Sequence, residues 1–239
     1  MSTQTPESDR MVITIDGPAG TGKTTVAHEL ARRLDLDSLD TGAMYRAIAV
    51  RMIEQNICPD DEARIARLAS ECELDFDWST SPPSLLVDGS PIGERIRSED
   101  VDQQVSIVAS NPGVRACLVD AQRAIATRHP RLVTEGRDQG SIVFPDAEFR
   151  FYLDASPEVR ADRRVRQSRS AGLTVDFDEV LQAIEARDHR DEARKDGPLT
   201  VPVGATRIDT SELSLEEVVR RLEDLVRAHC TSHRDGAGS

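Results

Sequence analysis

The sequence predicts an α/β fold in which a five-stranded parallel sheet is covered by helices on both faces. Short apolar runs of strand length alternate along the chain with stretches whose apolar residues recur at helical spacing. The first of these runs leads directly into a glycine-rich loop and then a helix, which is a typical βα unit of doubly wound folds. The 239 residues are enough for one elaborated domain, which we expect over residues 11–229.

Composition limits the classes of partner. Thirty Lys and Arg residues against 43 Asp and Glu give a net charge of −13, which opposes non-specific attraction to nucleic acid or anionic lipid. No run approaches the ~20 apolar residues of a membrane span, and residues 1–10 read as a disordered lead-in without the apolar region of a secretory signal. We therefore expect a cytoplasmic protein with no nucleic-acid or membrane partner. We also expect a monomer.

The first strand, predicted at residues 11–15, ends in a complete phosphate-binding loop of the pattern G-x-x-x-x-G-K-[ST]. Glycines let the backbone curl and point N–H groups at phosphates, and the following helix adds its positive end. This predicts a P-loop NTPase core that uses ATP and Mg²⁺, with Lys23 on the β and γ phosphates and Thr24 on the metal. The predicted nucleotide contacts are Gly17, Pro18, Ala19, Gly20, Thr21, Gly22, Lys23, Thr24 and Thr25.

The other core elements follow in order. Apolar residues recur at helical spacing from residue 26 to residue 34, and further strands are predicted at residues 36–39, 131–134, 149–153 and 206–208. Ser156 and Pro157 form a helix-start signature, and Ser214 with Glu217 forms a capping box before the last helix. Residues 230–239 are predicted to be a polar tail.

Residues 54–110 interrupt the alternation and predict an inserted subdomain between core segments 11–53 and 111–229. The segment contains a polar helix and a possible strand at residues 73–77. Asp88-Gly89 follows an apolar run and is a hairpin signal.

A phosphate loop alone does not separate a switch GTPase, an ATPase motor and a small-molecule kinase. The two asparagines, Asn56 and Asn111, are followed by Ile and Pro, so the Asn-Lys-x-Asp element that reads guanine is missing. The chain also has neither the larger domain nor the basic surface of a motor. Arginines and a few acids cluster at loop ends where a second substrate would lie, and Arg suits bidentate contacts with phosphate.

At these residues the chain resembles the bacterial cytidylate kinases, from about residue 12 to residue 226. The matching motifs are IDGP at 15–18, DTGAMYR at 40–46, DG at 88–89 with IRS at 96–98, EGRDQG at 135–140, VFPDA at 143–147 and RDHRD at 187–191. The resemblance implies ATP-dependent phosphorylation of CMP and dCMP, a nucleoside monophosphate (NMP) binding role for residues 54–110, and a short lid at about 160–172. Thr41 and Glu135 stand where the family has Ser and usually Asp, and they keep the hydroxyl and the charge.

The resemblance also implies residue roles. Ser106, Arg115 and Asp138 would read cytosine, whose N4 donor suits a carboxylate and whose N3 and O2 acceptors suit Arg and Ser. Uracil would place its O4 carbonyl against the carboxylate and its N3–H against the arginine, and both contacts would be repulsive. The implied substrate contacts are Thr41, Arg46, Ser106, Arg115, Arg137, Asp138, Arg187, Asp191 and Arg194, with Arg187 and Asp191 at the ribose and Arg46, Arg137 and Arg194 at the acceptor phosphate. The implied catalytic residues are Lys23, Arg137, Arg194 and Arg163.

Alternatives remain at this level. Within the class, a UMP/CMP or shikimate-type kinase would share the core, and outside it a regulatory nucleotide-binding module would share the phosphate loop. Helical spacing places Arg160, Arg163 and Arg164 on one face, which fits either a lid or a solvated basic face.

Overall fold

The computed structural model describes residues 10–170 and 172–236. In chain order the strands are β1 (Met11–Asp16), β2 (Asp37–Asp40), β3 (Leu74–Asp77), β4 (Ser84–Val87), β5 (Ser90–Pro91), β6 (Arg131–Gly136), β7 (Phe149–Asp154) and β8 (Thr206–Asp209). The helices are α1 (Lys23–Leu34), α2 (Thr41–Glu54), α3 (Glu62–Glu71), α4 (Glu99–Ser110), α5 (Pro112–Arg128), α6 (Pro157–Ser170), α7 (Phe177–Glu192) and α8 (Leu215–Gly236). A 3₁₀ turn spans Gly93–Arg97 and a π-helical turn spans Gln139–Val143.

The main sheet has five strands in the order β2-β6-β1-β7-β8, and each pairing in it is parallel. The predicted fold class is therefore confirmed. Each predicted core strand lies within one or two residues of the observed bounds. The apolar runs of β1, β6 and β7 mark strands buried on both faces, whereas the edge strands β2 and β8 each bury one residue. The carboxyl ends of the five strands share one edge, which is where ligands bind in folds of this kind.

Two hydrophobic clusters lie on opposite faces of the sheet, since successive strand side chains point to opposite sides. Ile13 and Val133 belong to the cluster that includes apolar residues of α1 and α8. Val12 and Leu132 belong to the cluster that includes residues of α2 and α5. The alternation from one residue to the next explains how a nearly continuous apolar strand supports helices on both faces.

The segment predicted as an insertion contains α3, a three-stranded antiparallel sheet in the order β3-β4-β5, the 3₁₀ turn and α4. Its buried residues Ile65 and Val101 belong to the same cluster as α2 and α5, so the segment shares a core with the main domain. Asp88 and Gly89 have φ values of 51° and 75°, which confirms the predicted hairpin turn. Its assignment to an NMP-binding role remains a prediction.

The last helix runs beyond residue 229, where we expect the kinase domain to end. Helix α8 continues to Gly236, so residues 230–236 of the predicted polar tail are helical. No proline or glycine interrupts the chain between Val226 and Gly236, so nothing there terminates the helix. Residues 1–9 of the predicted lead-in and residues 237–239 lie outside the described residues. Within the described ranges, no helix combines the length and apolar character needed to cross a bilayer.

Candidate active site

The phosphate loop joins β1 to α1 at the carboxyl edge of the sheet. Gly17 has a φ of 147°, and a Cβ built there would lie 2.1 Å from the carbonyl oxygen of Leu153 on β7. Any other residue would therefore push the loop away from the neighbouring strand. The glycine requirement predicted for the loop is confirmed at this position by a tertiary contact as well as by backbone conformation.

The amino end of α1 is open. Gly22 occupies the N-cap position, and no side chain caps the first turn, which also contains no acidic residue. Asp40 caps α2 and Asp61 caps α3, so uncapped ends are not general in this protein. Free N–H groups and the positive end of the helix dipole make this terminus suited to an anion such as a phosphate.

Lys23 is buried at the start of α1, with 5% of its surface exposed. Its ammonium donates a hydrogen bond of 2.8 Å to the carbonyl oxygen of Pro18. Burial, and next the charge of Arg137, lowers the pKa of Lys23 to about 7. The negative charges of Glu135 and Asp16 offset this lowering only in part, and triphosphate oxygens would add further negative charge. The loop and its lysine therefore fit the triphosphate chain of a nucleotide.

Thr24, predicted to bind the metal, contacts one carboxylate, and a second carboxylate lies next to the first. Its Oγ1 donates to Glu135 Oε1 over 2.7 Å, and Glu135 pairs in register with Asp40 on the neighbouring strand. Burial, and next the charge of Glu135, raises the pKa of Asp40 to about 7. Hydroxyl and carboxylate oxygens are the ligands that Mg²⁺ prefers. Asp40 is the last residue of β2 and Glu135 the next to last of β6, so both acids lie near the carboxyl ends of parallel strands, which is a usable signal in the sequence.

Arg115 and Asp138, predicted to read the base, form a buried ion pair. They come from α5 and from the loop after β6, 23 residues apart in the chain. Arg115 Nη1 also donates to the Tyr45 hydroxyl over 3.4 Å. Burial raises the pKa of Tyr45 to about 12, so this phenol stays protonated. Ser106 is also buried, on α4. A desolvated donor and acceptor side by side can read the edge of a planar base.

Arg137, Arg187 and Arg194 surround Asp191, as the predicted ribose and phosphate contacts require. Arg137 Nε donates to Asp191 Oδ2 over 2.8 Å, and Arg194 pairs with Asp191 Oδ1. Asp191 is fully buried, and burial opposes its charge, yet Arg137 and Arg194 hold its pKa below the ordinary value. Three guanidinium groups against one central carboxylate leave this cluster with positive charge to offer to an anion.

Arg187 has the most unfilled capacity in this cluster. Burial, and next the charge of Arg137, lowers the pKa of Arg187 to about 10. Its Nε is buried with no hydrogen-bond partner among the described residues. Buried donors in native proteins are normally paired, so an unpaired guanidinium N–H beside two other arginines is expected at a site for an anionic or hydroxylated ligand.

Arg46 lies at the junction of α2 with the inserted segment. Its Nη1 donates to Ile96 O over 3.0 Å, and its Nη2 lies 2.6 Å from Asp102 Oδ1 on α4. Asp102 also pairs with Arg164 on α6 over 2.8 Å. One acid therefore links a predicted phosphate contact to the predicted lid.

The lid arginines reach different partners. Arg160 is buried and donates to Ala19 O in the phosphate loop over 3.2 Å, while pairing with Asp188 of α7 over 2.6 Å. Arg163 donates to Thr210 Oγ1 over 3.1 Å, after the end of β8. Its predicted catalytic role is not visible in these contacts and remains a prediction. Arg160, by contrast, connects α6 directly to the phosphate loop.

Asp16 immediately precedes the phosphate loop and is fully buried. Its two carboxylate oxygens accept the backbone N–H groups of Gln139 and Gly140, each over 2.7 Å. Burial raises the pKa of Asp16 to about 7. In the sequence, Asp16 stands out only as part of the IDGP motif. In the structure it ties the phosphate loop to the loop that carries Arg137 and Asp138.

Taken together, a parallel α/β sheet, a phosphate loop with a buried lysine and an arginine-rich second site define a phosphotransferase of the P-loop class. The profile of the cytidylate kinase family matches residues 13–228. The chain belongs to the cytidylate kinase family.

Individual relatives agree over nearly the full length. The chain is 45% identical to the cytidylate kinase of Caldanaerobacter subterraneus subsp. tengcongensis over 215 residues, which cover 90% of this chain and 94% of that protein. It is 40% identical to the cytidylate kinase of Rhodococcus jostii, covering 97% of this chain and 99% of that one. It is 43% identical to the cytidylate kinase of Corynebacterium efficiens, covering 91% and 95%.

Proposed function

We propose that this enzyme transfers the γ-phosphoryl group of ATP to CMP, and also to dCMP, giving ADP and the nucleoside diphosphate. The observation that carries the proposal is the buried Arg115–Asp138 pair. Asp138 lies next in the chain to Arg137, whose positive charge acts on Lys23 of the phosphate loop. A base reader, an anion cluster and a donor loop thus occupy one continuous edge of the sheet.

Base selection follows from the buried pair. Asp138 accepts from the N4 amino group of cytosine, Arg115 donates to N3, and Ser106 donates to O2. Uracil places a carbonyl against the carboxylate and an N–H against the guanidinium. Because these groups are desolvated, each mismatch leaves a buried polar atom unpaired, and discrimination is strong. The proposal therefore favours a CMP kinase over a UMP/CMP kinase.

The acceptor nucleotide continues into the arginine cluster. Asp191 accepts from a ribose hydroxyl and Arg187 supplies its free Nε to the sugar. Arg137 and Arg194, with Arg46 and Thr41, hold the acceptor phosphate. Asp191 is also the counter-ion that keeps Arg137 and Arg194 in place, so the sugar and phosphate contacts are coupled.

The chemistry is mainly positioning and charge neutralisation. An oxygen of the acceptor phosphate attacks the γ-phosphorus, and the bond from that phosphorus to the β–γ bridging oxygen breaks, with ADP as the leaving group. Mg²⁺ bound through Thr24 would offset charge on the β and γ phosphates. Lys23, Arg137 and Arg194 stabilise the transferring group, and Arg163 joins them when the lid closes. No strong general base is needed.

A panel of acceptors tests the proposal. ADP release is measured with Mg·ATP and each of CMP, dCMP, UMP, AMP and shikimate. CMP and dCMP should give the highest kcat/KM. Equal use of UMP would indicate a UMP/CMP kinase, preference for shikimate a shikimate-type enzyme, and ATP turnover without any acceptor dependence a regulatory module.

Two further parts of the proposal concern the whole molecule. We expect a monomer that acts on free nucleotides in the cytoplasm. Light scattering on the purified protein tests the first part, and fractionation of cells that express the full chain tests the second.

A further inference from the structure

The turn between α7 and β8 lies directly on the pair that reads the base. Its first anchor is Arg194, which pairs with the buried side chain of Asp191. Its second anchor is Leu199, whose N–H donates to the backbone oxygen of Asp191 over 2.9 Å. Leu199 is itself buried. Both ends of the turn are therefore fixed on one residue, and the turn has little freedom to move away.

Gly197 is at the tip of this turn, with a φ of 64°. A Cβ built on Gly197 would lie 1.9 Å from Nη2 and 2.3 Å from Cζ of Arg115, and 2.5 Å from Oδ2 of Asp138. Real Cβ atoms do not approach other heavy atoms this closely. The bare backbone of Gly197 thus touches the two groups proposed to read the base, and a side chain would have to displace one of them.

The neighbouring residue adds charge to the same point. Burial is the largest influence on the pKa of Arg115 and lowers it. The charge of Asp138 raises it, followed by smaller contributions from Tyr45 and from Asp196 in this turn, and the pKa of Arg115 stays above its ordinary value. The turn therefore contacts Arg115 through Gly197 and acts on its charge through Asp196.

We propose that Gly197 is a specificity-determining residue, whose bare backbone closes the base site over Arg115 and Asp138 and holds that pair in the geometry that selects cytosine. This inference rests on the proposed function, because it assigns Gly197 to the base reading described there. Gly197 acts through the pair, so it is a positioning residue and leaves phosphoryl transfer itself to other groups.

Gly197→Ala should move the Arg115 guanidinium out of line with Asp138. We expect the KM for CMP to rise at least about tenfold and the ratio of kcat/KM for CMP over UMP to fall by about the same factor. The KM for ATP should stay within about twofold, since the phosphate loop is untouched. A general folding defect would lower the kcat for both acceptors and would not change their ratio.

Two variants separate overlap from backbone strain. Gly197→Asn adds the same Cβ, but Asn tolerates positive φ far better than Ala, so it should lose base selectivity as Ala does. Gly204→Ala is the matched control, because Gly204 also has a positive φ, of 73°, and its nearest neighbour is the tip of the Arg150 side chain at 3.3 Å. Gly204→Ala should keep the wild-type CMP to UMP ratio.

The measurement is steady-state kinetics of all four proteins with CMP, UMP and ATP, together with their melting temperatures. An unchanged CMP to UMP ratio in Gly197→Ala overturns the inference and leaves the proposed function standing. A ratio restored by Gly197→Asn also overturns it, because strain would then be the cause. Failure of both Gly197 variants to fold, with Gly204→Ala folded, overturns it as well. A wild-type enzyme without preference for CMP over UMP overturns the proposed function, and the inference with it.

Discussion

The donor site and the acceptor site are built in different ways. The donor site is made mainly from backbone and from one short segment, residues 17–25, which joins β1 to α1. The proposed acceptor site is made from side chains on α5, on the loop after β6 and on α7. Two of its ion pairs join residues far apart in the chain, Arg115 with Asp138 at 23 positions and Arg137 with Asp191 at 54. The proposed donor contacts are therefore local in the chain, whereas the proposed acceptor contacts depend on tertiary structure, and we assign base selectivity to them.

The two sites are nevertheless joined at two points. Asp16 holds the loop that carries Arg137 and Asp138 through the N–H groups of Gln139 and Gly140. Arg160 spans from the phosphate loop to Asp188 of α7. A substitution therefore shows which site its residue belongs to only if the kinetic constants for ATP and for the acceptor nucleotide are both measured.

Lys23→Met should have the largest effect. If Lys23 stabilises the transferring phosphoryl group more than ground-state ATP, as we propose, kcat should fall on the order of 10² or more, by the same factor for CMP and dCMP. The fold should survive, because the substitution removes a buried charge. Steady-state kinetics and a melting curve test this. Near-normal turnover by the folded variant would remove Lys23 from the mechanism.

Asp191→Ala should come next and should affect the acceptor. We expect a cost of about 1.5–3 kcal/mol in kcat/KM for CMP, because a charge-assisted hydrogen bond to the ribose is lost and Arg137 and Arg194 lose their counter-ion. The KM for ATP should change little. Collapse of ATP binding with CMP use retained would move Asp191 to the donor side and contradict the comparison.

A smaller effect concerns pH and the donor site. The pKa of Lys23 is lowered to about 7 in the free protein, and bound phosphates should return it towards its ordinary value of 10.5. Below pH 7 Lys23 is already charged, and above it ATP binding should take up as much as one proton. Affinity for ATP should therefore fall as pH rises above about 7.

Calorimetry of ATP binding at pH 8, in two buffers of different ionisation enthalpy, measures this proton uptake. Lys23→Met is the control, because it keeps the titration of ATP itself and removes that of the lysine. An equal proton uptake in the variant and the wild type would contradict the lowered pKa as its source.

The sequence predicts the strands and the phosphate loop well because their signals are local. The apolar run of β1, the phosphate loop and the start of α1 lie within residues 11–25, so the pattern can be recognised in one short segment. Gly17 is required both by the loop motif and by the close approach of Leu153 in the structure. The buried Arg115–Asp138 pair was expected only through a family resemblance, since nothing within either segment indicates the other. The structure adds that the pair is preformed and desolvated.

Other side-chain contacts could not be predicted from the sequence, because the residues that form them are distant in the chain. Asp16 contacts residues more than 120 positions away, so its motif shows an acid without a role. The spacing of Arg160, Arg163 and Arg164 places them on one helix face but does not indicate that their partners lie in the phosphate loop, after β8 and on α4. The polar composition of residues 230–236 does not indicate that α8 continues through them, although no proline or glycine stops the helix before Gly236.

The central claim is that base selection belongs to the acceptor site and rests on Asp138. Asp138→Ala removes both the attraction for the cytosine amino group and the repulsion of the uracil carbonyl. The ratio of kcat/KM for CMP over UMP should then fall at least about tenfold, about 1.4 kcal/mol, mainly through loss of CMP activity, with the KM for ATP unchanged. Equal losses with both nucleotides, or an unaltered preference for CMP, would contradict the account.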